Sequence, residues 1–225
     1  MQVNSELNNE TIIDKEKIRE FVNDLKYPLY FMDFETFKTA VPIFDKSRPY
    51  QQLVFQYSLH VLQANNSELQ HKEYLAEVDG TDPRVKFLKQ LIADCGKKGD
   101  ILVYNIGFER GKLNDLAESF PNYTISINKI IDRLKDLMIP FQQRLYYTPA
   151  MWGSYSIKKV LPAMVPELSY ADLNIGEGGT ASDTFASMLT GEYEGDMEQT
   201  RKDLFEYCKM DTFAMVKILE KLNSV

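Results

Sequence analysis

Pro28-Leu29-Tyr30-Phe31-Met32-Asp33-Phe34-Glu35-Thr36 is an apolar run that ends in two acids. Read with the period of a strand, Asp33 and Glu35 point to one face and Phe34 to the other, so two carboxylates leave the end of a hydrophobic strand side by side. That is a place to hold a metal ion. The pattern alone is weak, because about one Asp-x-Glu arises by chance in a chain of this length. A second copy, Asp196-Met197-Glu198, follows Gly195 in a polar stretch and reads as a helix start. The first copy is set apart by its apolar, aromatic neighbours and by the acids that recur downstream.

Upstream, Ile18, Phe21, Val22 and Leu25 recur at helical spacing, which predicts an amphipathic helix over about 14–25. Downstream, Leu53, Phe55, Tyr57, Leu59 and Val61 alternate with mostly polar residues, and 69–76 repeats the pattern more weakly. With the first strand these form a meander, turned between its last two strands at Ala64-Asn65-Asn66-Ser67. Asp82 and Pro83 fit the N-cap and first position of a helix with Val85, Phe87, Leu88, Leu91 and Ile92 on its apolar side, stopped by Gly96 and Gly99. Ile101-Leu102-Val103-Tyr104 reads as a short strand of the kind buried in a parallel pair. Asn105 to Glu109 turn it into a helix running to about Ser119.

A helix over about 125–133 and a fifth strand over 134–139 follow. Residues 140–155 read as an aromatic-rich loop, Ser156 as the cap of a short helix through Val160, and 161–179 as an irregular crossing. Helices over 183–189 and 197–222 complete the chain. Three strands followed by helices alternating with short strands predict an α/β domain over 1–225, with a mixed five-stranded sheet covered on both faces.

Composition narrows the function classes. Apolar and charged fractions of 44% and 26% are those of a globular chain. No window reaches the roughly 18 apolar residues of a membrane span, so no membrane partner is expected. The polar start, Met1 to Asn9, has no apolar signal core, and two cysteines cannot build a disulfide framework, so a reducing cytoplasm is expected. His60, His71, Cys95 and Cys208 lack zinc-ligand spacing, which leaves oxygen ligands for any metal. The net charge of -7 argues against broad duplex binding through lysine and arginine. It weighs less against a metal nuclease, because cations held by carboxylates invert the field where a phosphate sits.

Near the C-terminus, Tyr207-Cys208-Lys209-Met210-Asp211 lies in a helix whose apolar set includes Leu204, Cys208, Met215, Ile218 and Leu219. Tyr207 and Asp211 are four apart, so both project from one face. An Asp-x-Glu on the first strand, an Asn and an acid at a strand-to-helix turn, and Tyr-x-x-x-Asp on a late helix together resemble the tyrosine subgroup of the DEDD exonucleases, of the ribonuclease H-like fold. In more detail the chain resembles the bacterial family DUF2779. It carries Val103-Tyr104-Asn105, Phe108-Glu109, Gly153-Ser154-Tyr155-Ser156-Ile157-Lys158-Lys159-Val160-Leu161-Pro162 and Tyr207-Cys208-Lys209-Met210-Asp211-Thr212. The likeness spans about residues 28–223. Chains of this kind often carry the domain behind a RecB-like nuclease module, so the resemblance implies such a partner in a longer parent chain.

The resemblance implies a three-layer α/β/α fold and a site of Asp33, Glu35, Glu109 and Asp211 holding two divalent cations, Mg2+ or Mn2+. It implies Tyr207 as the residue that orients or helps deprotonate water, and substrate contacts at Asn105, Phe34, Thr36 and Lys158. The activity implied is 3′→5′ exonuclease hydrolysis of single-stranded DNA or RNA, one cation activating water and the other stabilising the leaving oxygen. Glu109 departs from the superfamily, whose middle acid is usually aspartate; its alternative role is a helix N-terminal acid favoured by the dipole. Asn105 either touches substrate or caps its helix, the commoner role. Asp136 reads as structural or solvated. Lys158 and Lys159 either meet phosphate or lie on a solvated face, the more frequent case. The rival reading for the whole chain is a non-catalytic, degenerate nuclease-fold module that binds nucleic acid or a partner domain.

Overall fold

The computed structural model describes residues 2–225, with side chains from Ser5 onward. Helix α1 (Gln2–Asn8), strand β1 (Ile12–Ile13) and helix α2 (Lys15–Asn23) lead in, α2 being capped by the Asp14 carboxylate on the Lys17 amide. The meander follows as β2 (Leu29–Phe37), β3 (Leu53–Leu62) and β4 (Leu69–Leu75). After it come α3 (Arg84–Asp94), β5 (Ile101–Val103), α4 (Ile106–Ser119), α5 (Thr124–Ile131) and β6 (Leu134–Asp136). The last part holds α6 (Ile139–Gln142), β7 (Tyr146–Tyr147), α7 (Ile157–Met164), α8 (Gly178–Thr190) and α9 (Met197–Asn223).

Five strands form one mixed sheet in the order β4-β3-β2-β5-β6. The β2–β3 and β3–β4 pairs are antiparallel, whereas β5 runs parallel to β2 and β6 parallel to β5. The period-two pattern of β2 sends its side chains into separate apolar clusters. Tyr30, Met32 and Phe34 pack with Phe87, Leu88 and Leu91 of α3, Leu113 of α4 and Ile127 of α5. Leu29 and Phe31 pack instead with Leu161 of α7 and Met215, Ile218 and Leu219 of α9. Phe37 joins Phe55, Phe185 of α8 and Leu204 and Tyr207 of α9, with the Phe55 and Phe185 rings stacked at 4.0 Å. Asp33 and Glu35, which alternate with Phe34, therefore face the helices α7, α8 and α9.

Several boundaries differ from the sequence expectation, each for a local reason. The fifth strand stops at Asp136 and residues 139–142 are helical, because Pro140 has no amide for a ladder and suits a first helical turn. The expected loop over 140–155 contains β7, which pairs antiparallel with β1 as Ile12 opposite Tyr147 and Ile13 opposite Tyr146. Two-residue strands are too short to show a period. Helix α7 runs past Pro162 to Met164, held by buried Val160, Leu161 and Met164. Helix α8 begins at Gly178, ahead of the expected start, since first-turn amides have no intrahelical partner to lose. Helix α3 begins after Pro83, and the Asp82 carboxylate accepts from the Arg84 amide at 3.0 Å and from its guanidinium.

The join between β2 and β5 depends on one glycine. Asp100 donates its amide to the Lys26 carbonyl at 2.8 Å and accepts from the Tyr30 amide at 2.9 Å, which starts the parallel pair. Gly99 beside it has φ of +84°, and a Cβ there would lie 1.9 Å from the Pro28 carbonyl oxygen. Gly99→Ala is accordingly expected to lower the unfolding free energy by about 2 kcal/mol or more, from a positive φ together with a backbone clash. Denaturant titration of the variant checks this, and unchanged stability would contradict the packing described for this join.

Candidate metal centre

Strand β2 brings Asp33 and Glu35 to the floor of a cavity of about 240 Å³ that is also lined by Tyr104, Phe108, Lys158, Tyr207 and Asp211. Tyr207 and Asp211 come from one face of α9, as their spacing of four predicts. Gly178, at the start of α8, closes one side: a Cβ there would lie 3.6 Å from the Tyr207 hydroxyl and 3.7 Å from Glu35 Oε2. Helix α9 is fixed to the sheet by a buried polar cluster just past Asp211. Thr212 Oγ1 lies 2.7 Å from Ser58 Oγ and 2.8 Å from His60 Nδ1, and Ser58 Oγ lies 2.9 Å from His71 Nε2. Burial lowers both histidines, His60 to about 3 and His71 to about 4, so both are neutral packing partners at pH 7.

Glu109 sits in the first turn of α4 and is 1% exposed. It does not line the cavity, yet its charge contributes to raising the Asp33 carboxyl. What places it is Asp136. The parallel register sets Asp136 opposite Val103, and its carboxylate accepts from the amides of Asn105 (3.2 Å), Ile106 (3.1 Å) and Met138 (2.9 Å). Asp136 thus caps α4, and the capping role expected of Asn105 is overturned. Asn105 is exposed at φ of +80° with no side-chain cap bond. The cap comes from a neighbouring strand 31 residues on, a partner that local spacing cannot show.

The electrostatics are those of a carboxylate cluster out of water. Burial first, then the charges of Asp211, Glu35 and Glu109, hold the Asp33 carboxyl well above the ordinary range. Burial and Asp211 do the same for Glu35, against a lowering pull from Lys158. Burial raises Glu109 to about 8 and Asp211 to about 6. Asp211 is held lower than burial alone would leave it, chiefly by the Tyr170 hydroxyl, which donates to Oδ1 at 2.7 Å, and then by Lys158 and Tyr207. The Lys158 ammonium donates to the Gly176 carbonyl at 2.7 Å and to the Tyr207 hydroxyl at 3.3 Å, and lies 5.2 Å from the Tyr207 ring centre. Lys158 therefore belongs to the cleft and not to a solvated face, whereas Lys159 is exposed.

Glu109 Oε2 is buried with no hydrogen-bond partner, an arrangement that costs free energy unless a proton or cation satisfies it. The oxygen donors of Asp33, Glu35 and Asp211 suit hard cations such as Mg2+ or Mn2+, so the residues fit the group that the sequence suggests. Two neighbours escaped the sequence reading as site residues. Cys208 is buried, and its sulfur and the carboxylate oxygens of Asp33 and Glu35 lie within 4.8 Å of one another. Its place three residues before Asp211 on α9 was the available signal. Burial and the adjacent acids push its thiol well up, so it is held protonated. Tyr170 comes from the irregular crossing, where no pattern marked it. Phe34 reaches the cavity wall, but its ring is 2% exposed and packs 5.3 Å from Phe87. Thr36 is buried and does not line the cavity.

The pattern of the family described as "Domain of unknown function (DUF2779)" matches residues 30–156. The chain is 30% identical over 222 residues, 90% of its length, to an uncharacterized protein of Mycoplasma pneumoniae, of which it covers 33%. It is 27% identical over 219 residues, 86% of its length, to an uncharacterized protein of Ureaplasma parvum, of which it covers 31%. A protein of Mycoplasma genitalium, also uncharacterized, is 27% identical over 223 residues, 90% of this chain and 33% of its own length. The chain spans about a third of the length of the curated relatives it matches.

The raised carboxyls make stability depend on pH. Asp211 and Glu109 hold protons in the fold that the unfolded chain, with values near 4, has already released. Their contribution is complete below about pH 4 and is lost as pH rises through about 6 and about 8. In chelator, the melting temperature is expected to fall between about pH 5 and 8.5. Mn2+ should flatten the fall by replacing the protons, and Glu109→Gln should flatten its upper part. Thermal melts across this range check the sign, and a profile that is flat or rising in chelator would contradict it.

Proposed function

Since the chain belongs to the DUF2779 family, whose description states no function, we propose one from the site itself. The protein is a divalent-metal-dependent 3′→5′ exonuclease that hydrolyses phosphodiester bonds of single-stranded DNA or RNA, built on a ribonuclease H-like three-layer fold. The observation that carries the reading is the convergence of buried Glu35, Asp211 and half-buried Asp33 with Tyr207 and Lys158 on one cavity, beside the unpaired Glu109 oxygen. The mixed sheet, with three antiparallel and two parallel strands and separate helix sets packed on alternate side chains of β2, supports the fold assignment.

Divalent cations at these acids would supply charge stabilisation at a phosphate and activation of water. Asp33, Glu35 and Asp211 present oxygen ligands to the cavity, and Glu109, close enough to act on the Asp33 carboxyl, would add a negative charge once it gives up its proton to a cation. Tyr170 orients Asp211 by its hydrogen bond. Without cations, burial and then Asp211, Glu35 and Asp33 hold the Tyr207 hydroxyl far above its ordinary value, so it stands protonated there, a donor placed to orient water or a phosphate oxygen. Lys158 offers the cavity's lysine ammonium, beside that hydroxyl, to a phosphate oxygen. Tyr104 and Phe108 form an apolar wall suited to a nucleotide base. A RecB-like nuclease module in a longer parent chain is the partner proposed, and the greater length of the curated relatives leaves room for one.

The test is incubation with 3′- and 5′-labelled single strands of DNA and RNA, in Mn2+ and in chelator. Release of mononucleotides from the 3′ end in Mn2+ alone is expected. Asp33→Ala and Asp211→Ala should abolish it while the fold persists, and Tyr207→Phe should slow turnover on the order of 10²-fold. Glu109→Gln should lose most activity below saturating Mn2+, whereas Glu109→Asp should keep a measurable part, a water shell absorbing the shorter reach. A folded parent that binds strands without cleaving them would favour the non-catalytic module, and a fully active Glu109→Gln would remove that residue from the site.

A further inference from the structure

The segment from Trp152 to Lys159 presents aromatic and basic side chains next to the cavity. Trp152, the sole tryptophan of the chain, is 82% exposed. Its backbone is not loose. Trp152 sits at φ of +54° at the end of the turn Pro149–Met151, donating its amide to the Pro149 carbonyl at 2.9 Å. Met151 before it is fully buried, the Gly153 amide donates to the Tyr147 hydroxyl at 3.2 Å, and the Ser154 amide donates to the Met151 carbonyl at 3.0 Å. A bulky residue at positive φ is uncommon, and here the buried neighbours hold the largest side chain of the segment in water.

A single exposed apolar residue is ordinary. The setting of this one is not. Three residues on, Tyr155 is 41% exposed, and its carbonyl accepts from the Tyr104 hydroxyl at 2.8 Å, which ties the segment to the cavity wall. Three residues span at most about 11 Å, so the backbone of Trp152 lies within that reach of the Tyr155 carbonyl that holds the wall residue Tyr104. Ile157 and Lys158 then enter the cavity itself, and Lys159 is exposed. Flat aromatic faces set beside lysines are a means by which proteins hold single strands, bases stacking on rings while cations track the phosphates.

We propose that Trp152 is a stacking platform for an unpaired base of the strand whose end lies in the cavity. This rests on the nuclease reading and gives it a preference for unpaired strands. A duplex hides its internal base faces in its own stack and offers the indole only the outer faces of its end pairs.

The sole tryptophan is also the probe. Oligothymidylate and oligouridylate of about twelve nucleotides, a length that fills a typical single-strand site, are titrated into the protein in Ca2+ and in chelator. Indole fluorescence and the anisotropy of a labelled strand are followed together. Quenching that tracks the anisotropy is expected, with at least about tenfold weaker effect for a blunt duplex. Trp152→Ala should raise Kd by about 5- to 100-fold, and Trp152→Phe should restore most of the loss. Strand binding without quenching, or Trp152→Ala binding as tightly as the parent, overturns the platform while leaving the nuclease reading in place. No strand binding by the parent in either condition overturns both.

Discussion

Carboxylates that are crowded together and kept from water repel one another, and the rest of this molecule is arranged against that repulsion. Unit charges about 4 Å apart repel by roughly 4 kcal/mol at an effective dielectric near 20. A domain's whole stability is about 5–15 kcal/mol, so three or four such acids cannot all be ionised in the fold without compensation. The structure answers in part with protons, as the raised Glu109 and Asp211 carboxyls show, and in part with Lys158 and the Tyr170 hydroxyl. Glu109 Oε2 still has no hydrogen-bond partner in the protein, so its proton is the provisional occupant of a place a cation can take. An arrangement that must take up protons or cations to be tolerated is a reason to read the cluster as functional and not as packing.

Holding acids in such a place demands rigid supports. Strand β2 lies between two neighbours in the sheet, and its even-numbered side chains are locked among α3, α4 and α5. Helix α9 is pinned through Thr212 to Ser58 and His60 and through the Leu204 carbonyl to Gln56 at 2.8 Å. Asp136 spends its carboxylate on three amides and thereby sets the start of α4, which carries Glu109. These groups do not line the cavity of the acids, yet each supports an element that carries one. Loss of any of them should loosen the acid that it supports.

Legibility followed the range of the interactions. The alternation in β2 and the four-residue spacing of Tyr207 and Asp211 are local, and both were readable from residue order. The three-stranded start, the strand of Ile101 to Val103 and the long last helix were readable for the same reason. Pairings made by topology were not. Asp136 reaches the Asn105 amide because β5 and β6 are parallel neighbours, Tyr170 reaches Asp211 across an irregular stretch, and β1 pairs with β7 from opposite sides of the sheet-forming sequence. Lys158 is instructive, since lysines near a helix start are usually solvated; two tyrosine rings and a carbonyl draw this one inward.

The most direct measurement is a calorimetric titration of the metal-free protein with Mn2+ near pH 7 in two buffers of different ionisation enthalpy, which gives stoichiometry and proton release together. The account predicts two ions bound and a net release of protons, because carboxyls held protonated in the fold must give them up to become ligands. Absence of binding at millimolar Mn2+, or binding with no proton released, would contradict the claim that this carboxylate cluster is a cation site.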